Sequence, residues 1–283
     1  MKTLGIKTIK HLMFVLSSNE KEIEHLIKEK EKYYYKMLKP KMEKGREKID
    51  SDGKVIMREL NPSAGRLYDI QANIKNRILS KIHLPENIKG GVKGSSNIAN
   101  AAVHKGKKHK FKTDMKKYYP SIGYERVYKL FLNYGFSSKC ASILTHLTTN
   151  KYELPQGTPT STHIANLIFL PNDKIIIDYC LKHNLKYTRY VDDLVFSSGT
   201  DFREKCIDLI QVILDDGFKI SCKKTIYRAG NLEITGIDTK NNVLDVLNFF
   251  KELMNDTTIS VKTTAGRKAY YRNVRKKTKI IQL

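Results

Sequence analysis

Tryptophan is absent from the 283 residues, and cysteine and proline are scarce, at 4 and 7. The cysteines, Cys140, Cys180, Cys206 and Cys222, are scattered with no Cys-x-x-Cys pair. That spacing disfavours a zinc ribbon or a disulfide framework and suits reduced thiols in the cytoplasm. Apolar runs are short: none approaches the roughly 20 residues that span a bilayer, and Leu12-Met13-Phe14-Val15-Leu16 is too brief for a signal-peptide core. Acid is the other shortage, with 29 Asp and Glu against 52 Lys and Arg and a net charge of +23. A chain so charged repels itself when compact unless a polyanion relieves it. Nucleic acid is therefore the expected partner, and no basic amphipathic segment or lipid signal argues for a membrane surface.

Where acid is rare, its placement is informative. Tyr190-Val191-Asp192-Asp193 sits between β-branched and aromatic residues that suit a pleated surface, whereas aspartate is depleted from strands. Two strands joined by an acidic turn are expected. Aspartate is a common turn former, but such a turn can also aim both carboxylates into one space and offer oxygen ligands to a hard cation such as Mg²⁺. Asp114 lies at the end of a second predicted strand, over 110–115. Three carboxylates from two adjacent strands could hold two Mg²⁺ ions about 3.5–4 Å apart, one activating an attacking hydroxyl and one stabilising a leaving pyrophosphate, with Mn²⁺ as a substitute. Met115, next in sequence, is assigned to the same metal site. Like charges gathered this closely repel one another, so the cluster makes most sense with cations present.

The rest of the chain alternates helices and strands without a βαβ rhythm. Residues 1–50 are rich in lysine, glutamate and tyrosine and are expected to be largely helical, with Ile23, Leu26 and Ile27 on one face and Pro40 as an interruption. Ser51-Asp52-Gly53 predicts a hairpin tip between strands over 46–50 and 54–60. Helices are predicted over 66–82, around Val127 to Tyr134, around Ala141 to Leu147, from about 160 to 183 with a kink at Pro171, over 201–216 with a stop at Gly217, and around 244–254. Short strands are expected at 218–221 and 232–236. The pattern argues for an α+β fold, an antiparallel sheet with helices on one face.

Six segments in order carry a family resemblance. After Asp114, Tyr118-Tyr119-Pro120-Ser121-Ile122 resembles the first catalytic motif of reverse transcriptases, and Leu154-Pro155-Gln156-Gly157-Thr158-Pro159-Thr160-Ser161, with Asn166 beyond it, is similar to their nucleotide-pocket motif. Tyr190 to Asp193 matches the Tyr-x-Asp-Asp signature, with valine where alanine is more frequent. The stretch 217–225 resembles the later motif that carries a lysine near the triphosphate. Asn100-Ala101-Ala102-Val103-His104 and Ile234-Thr235-Gly236 are similar to elements of the bacterial retron enzymes.

The resemblance implies a right-hand polymerase: N-terminal basic helices and fingers over 1–113, interleaved with the palm; a palm over 114–238, with part of the fingers at about 125–155; and a short, basic, helical thumb over 239–283. It implies catalysis by Asp114, Asp192 and Asp193. Tyr119 would exclude a 2′-hydroxyl, Gln156 and Gly157 would shape the nucleotide site, and Lys224, or Lys223 beside it, would neutralise or protonate the departing pyrophosphate. Lys54 and Arg58 would hold the triphosphate. RNA would be contacted by Asn100, His104, Thr235, Gly236, Arg267, Lys268, Arg272 and Arg275, His104 having a structural role as the alternative, while Arg189 would be a solvent-facing strand residue. The implied partners are a cognate structured RNA and its branched DNA product, deoxynucleotides, and an effector protein in anti-phage defence. A different prokaryotic reverse transcriptase, of intron or abortive-infection type, and a nucleic-acid-binding scaffold that holds a toxin remain the alternatives.

Overall fold

The computed structural model describes residues 5–43, 46–240, 242–255 and 260–279. Two units emerge, each assembled from separated stretches of chain: Met1–Lys39, Met57–Pro85 and Lys117–Pro171 in one, and Pro40–Ile56, Glu86–Lys116 and Asn172–Leu283 in the other.

The first unit is mainly helical. Helices Ile9–Leu16 and Glu20–Lys28 begin at Thr8 and Asn19, whose side chains accept the backbone N–H groups of His11 and Glu22, as N-caps do. They pack with helices Gly65–Arg77 and Ser138–Thr148. Leu12, Leu16, Ile23, Leu26, Leu67, Ile70, Ile74 and Leu144, all at 1% exposure or less, supply the buried stripe. Helix Tyr124–Asn133 lies against Ser138–Thr148. Helix Ser161–Lys182, expected over about 160–183, has Pro171 inside it, and the division between the two units falls just after that residue.

The predicted helical character of residues 1–50 stops at a 3₁₀ turn, Lys30–Tyr33. Beyond it the chain is extended: β1 (Met37–Pro40) belongs to the first of two small sheets, and β2 (Met42–Glu43) and β3 (Arg46–Glu47) form the second, in which Met42 pairs with Glu47. Aromatic Tyr33, Tyr34 and Tyr35 followed by Pro40 favour extension over helix there. The predicted tip at 51–53 is present. Asp50 Oδ1 accepts the N–H groups of Asp52 and Lys54, and Gly53 takes φ +76°. Its arms are shorter than expected, because β4 (Met57–Leu60) pairs with β1 instead.

The second unit holds two antiparallel sheets. In the larger, β5 (His109–Asp114) lies between β7 (Asp193–Ser198) and β8 (Ile226–Ala229), with β6 (Lys186–Tyr190) beyond β7. The smaller sheet is β9 (Leu232–Ile234), β10 (Ile237–Lys240) and β11 (Val243–Val246), in that order. Leu244 and Val246 point inward and Val243 and Asp245 outward, a period of two that makes β11 a strand where a helix from 244 was expected. The helix begins only at Asn248. The expected strand at 218–221 is reduced to one bridge, Ile220 opposite Met115. Ile98, Ala101, Val195, Ile234, Ile237, Leu244 and Val274 close one core under the smaller sheet and the helix Val261–Lys279. The α+β expectation holds. Among the described residues, no helix is long and apolar enough to cross a membrane.

Candidate active site

The register of the larger sheet sets the acidic cluster. Asp114 is the last residue of β5 and Asp193 the first of β7, and the two are direct antiparallel partners. Tyr190, at the end of β6, also pairs with Asp193, so Val191 and Asp192 form a two-residue turn. Ligand oxygens of Asp114, Asp192 and Asp193 lie within 4.8 Å of one another. Burial, then the charges of Asp192 and Asp114, push the Asp193 carboxyl up to about 7.

Lys224, from the 3₁₀ turn Cys222–Lys224, places Nζ 2.6 Å from Asp114 Oδ2. Burial alone would lower its pKa, but the hydrogen bond to Asp114 and the three carboxylate charges outweigh that and raise it. Lys223 is exposed. A set of three oxygen donors that already draws an ammonium group fits a hard divalent cation. Met115 is 1% exposed, and its N–H donates to the Asp192 carbonyl at 3.0 Å. Any share it has in a cation site is confined to its backbone.

Because Asp193 binds its proton more tightly in the fold than in the unfolded chain, the cation-free protein should lose stability as pH rises from about 4 towards 7. A divalent cation should reverse that loss. The melting-temperature gain on adding Mg²⁺ is therefore expected to be larger at pH 8 than at pH 5.5, as differential scanning fluorimetry would read.

The turn itself is strained and tightly held. Val191 has φ +61°, a left-handed conformation that a β-branched residue rarely adopts and that hairpin turns ordinarily give to glycine. The expectation that Arg189 faces solvent is wrong: its side chain is wholly buried. Nε and Nη2 donate to Asp173 Oδ1 and Oδ2 at 2.8 and 2.6 Å, and Nη1 donates to the Val191 carbonyl at 2.9 Å. Tyr187 donates its hydroxyl to the same Asp173 at 2.7 Å. A guanidinium buried this deeply needs its counter-charge, and Asp173 lies too far away in sequence for the pairing to be read from spacing.

On its outer side β6 is flanked by residues 87–90, where Arg189 N–H donates to Asn87 O and Lys89 N–H donates back to Arg189 O. There Gly90 lies flat against the turn. A Cβ at Gly90 would stand 2.5 Å from Val191 N and 2.7 Å from Val191 Cγ2. Gly90→Ala is expected to displace the acidic turn and to lower the melting temperature, as differential scanning fluorimetry would read.

The first unit carries four of the proposed nucleotide-pocket residues, Tyr119, Gln156, Gly157 and Arg58. Tyr118 is buried and donates its hydroxyl to Ala165 O at 2.6 Å, whereas Tyr119 is half-buried, with its hydroxyl 3.0 Å from Thr162 Oγ1. The Gln156 carbonyl accepts Asn61 N–H at 2.8 Å. Gly157 has φ +110°, and a Cβ there would lie 3.5 Å from Pro62 N. Residues 154–161 are thereby pinned to the strand that carries exposed Arg58. Lys54 is exposed on the hairpin tip of the second unit.

The two segments assigned to RNA contact meet each other. Asn100 and His104 are both at 0% exposure. His104 binds Ser197 Oγ and Thr188 Oγ1, each at 2.7 Å, and burial lowers its pKa to about 3, so it stays neutral. Asn100 Nδ2 lies 3.3 Å from Thr235 Oγ1, while Asn97 Nδ2 donates to Thr235 O at 3.1 Å and to the Tyr270 hydroxyl at 2.7 Å. In this arrangement Asn100 and His104 brace the sheet and any influence on RNA is indirect. Asn97 and Tyr270, not among the expected site residues, tie the turn at Thr235 and Gly236 to the basic helix Val261–Lys279. On that helix Lys268, Arg272 and Arg275 are exposed, whereas Arg267 donates to Leu253 O at 2.6 Å.

Residues 57–239 match the family described as reverse transcriptase (RNA-dependent DNA polymerase). Among curated proteins, the retron Se72 reverse transcriptase of Salmonella heidelberg is 32% identical, over 62% of this chain and 50% of its own length. The retron Ec86 reverse transcriptase of Escherichia coli is 32% identical, over 60% of this chain and 53% of its own. The retron Mx65 reverse transcriptase of Myxococcus xanthus is 28% identical, over 66% and 49%. The chain thus spans about half the length of these relatives.

Proposed function

The chain belongs to the reverse transcriptase family, and from that premise we propose that it is an RNA-directed DNA polymerase of the retron type. The carrying observation is the meeting of Asp114, Asp192 and Asp193 at facing ends of β5 and β7, with oxygens within 4.8 Å. Two Mg²⁺ ions held there would supply activation of a primer hydroxyl and compensation for the leaving pyrophosphate. The carboxylates orient the reacting groups, and the Asn87–Gly90 segment with Arg189 holds their turn in place. Lys224 gives up its hydrogen bond to Asp114 and turns its ammonium group towards the departing phosphates.

In the first unit, Tyr119 presents its ring to the sugar of an incoming deoxynucleotide, and Gln156, Gly157 and Arg58 are the other pocket residues of that unit. Lys54, on the second unit, is assigned separately as a phosphate contact. Tyr119→Ala is expected to relax sugar selection, raising ribonucleotide incorporation at least tenfold relative to deoxynucleotide, as competition assays would measure. The exposed cations of the C-terminal helix suit an RNA backbone, and that helix is read as part of the thumb.

The likeness to retron enzymes supports a finer reading. The template is a cognate structured RNA, the product is branched single-stranded DNA, and the system acts with an effector protein in anti-phage defence. The setting is cytoplasmic, in keeping with the four free cysteines. Sequencing the nucleic acid that co-purifies, with and without RNase, tests this. A DNA strand joined to RNA supports the retron assignment, and RNA with no DNA contradicts it.

A further inference from the structure

Tyr152 is a large side chain at 80% exposure in a backbone that disfavours it. Asn150 and Glu153 exchange both N–H···O bonds, at 2.9 and 3.0 Å, around a two-residue turn in which Lys151 has φ +46° and Tyr152 φ +62°. Turns with both central residues left-handed favour Asn-Gly or Asp-Gly rather than lysine and tyrosine. Strain of this kind points to a use for the side chain.

The turn is also anchored. Tyr124 N–H donates to Tyr152 O at 2.9 Å and Leu154 N–H to Ile122 O at 2.9 Å, which ties the turn to the residues that open helix Tyr124–Asn133. The Tyr152 ring stands edge-on to Tyr124 at 6.5 Å, and Tyr124 is stacked with Tyr128 at 6.4 Å and lies 5.0 Å from the His146 ring. Lys151, in the turn beside Tyr152, and Lys117, whose charge acts on Glu153 at the other side of the turn, are exposed. The ammonium of Lys30 is turned away to the carbonyls of His146 and Thr149. In sequence the turn lies between the two nucleotide-pocket segments, Tyr119 on one side and Gln156 on the other.

We propose that Tyr152, backed by Tyr124 and Tyr128, is a stacking platform for an unpaired nucleic-acid base, with Lys151 and Lys117 taking the adjacent phosphates. Every base offers a π-face, so stacking of this kind tolerates any sequence. A net charge of +23 makes a polyanion the fitting occupant. The inference rests on the polymerase reading, since continuity with the pocket segments makes the bound strand the template approaching the nucleotide.

The test uses the full chain and equilibrium fluorescence anisotropy, which needs no catalysis. The probes are a labelled unstructured RNA of about 12 nucleotides and a duplex of equal length. Tyr152→Gly should melt at or above the wild-type temperature, because glycine relieves the turn, and should bind the single strand about 10- to 100-fold more weakly. Duplex binding should stay within twofold, and Tyr152→Phe should restore single-strand binding. Unchanged single-strand affinity in Tyr152→Gly overturns the platform, as does an equal loss for strand and duplex. Intact RNA binding with loss of a co-purifying protein would also overturn it, making the surface a protein-docking site. Wild-type protein that binds neither probe would instead refute the polymerase reading beneath it.

Discussion

Replacing Asp192 and Asp193 together with alanine is expected to abolish RNA-templated DNA synthesis, by about 10³-fold or more, and to leave RNA binding within a few-fold of wild type. The two outcomes separate because the carboxylates and the RNA-binding charge are different groups. Removing two acids from a chain of net charge +23 cannot weaken its attraction for a polyanion. Nor should the fold suffer, since Asp193 is crowded by Asp192 and Asp114 and by burial. Alanine relieves that crowding, and the cation-free variant should melt no lower than wild type at pH 8. Primer extension, filter binding and thermal melting on one preparation would read all three.

Arg189→Met should act through structure and chemistry at once. It leaves Asp173 buried at 0% exposure with its counter-charge gone, a change that typically costs about 3–5 kcal/mol. It also removes the donor at 2.9 Å from the Val191 carbonyl. Arg189→Lys keeps a charge but has no fork to hold a carboxylate and a carbonyl together. A second variant parts the two effects. Arg189→Met combined with Asp173→Leu removes both charges and should recover most of the stability lost to denaturant. The turn still lacks its anchor, so the incorporation rate should remain reduced, with a smaller effect on KM for nucleotide. A double variant as active as wild type would mean that the ion pair serves folding alone.

The acidic cluster was legible in the sequence because it depends on local signals. Aspartate between β-branched runs announces a turn, and Asp114 ends a strand whose partner is that same turn. The helices of the first unit were legible for a similar reason, through their apolar period. What escaped was what the chain builds from distant pieces. Arg189 sits in a run that reads equally well as an outward-facing strand, and only Asp173, brought alongside by folding, shows why it can be buried. Gly90 stands in a glycine-rich stretch whose close approach to Val191 has no sequence signature. Asn100 resembled a contact residue, yet the sheet encloses it, and of the two roles open to His104, structural or RNA-contacting, its burial fits the structural one. In residues 30–50 charge density suggested helix, but pairing of β1 with β4 decided the outcome, a tertiary preference that overrides local composition. The left-handed Lys151 and Tyr152 carry neither Asn nor Gly and gave no turn signal.

Asp114 and Asp193, at the facing ends of β5 and β7, and Asp192 in the turn between β6 and β7 are proposed to direct DNA synthesis on RNA. That role is tested most directly by supplying the purified chain with its co-purified RNA, labelled deoxynucleotides and Mg²⁺, and following product on a denaturing gel. Labelled DNA that extends with time, vanishes with excess EDTA and is absent from the Asp192→Ala, Asp193→Ala protein is the predicted result. Equal synthesis by the doubly substituted protein would contradict the account.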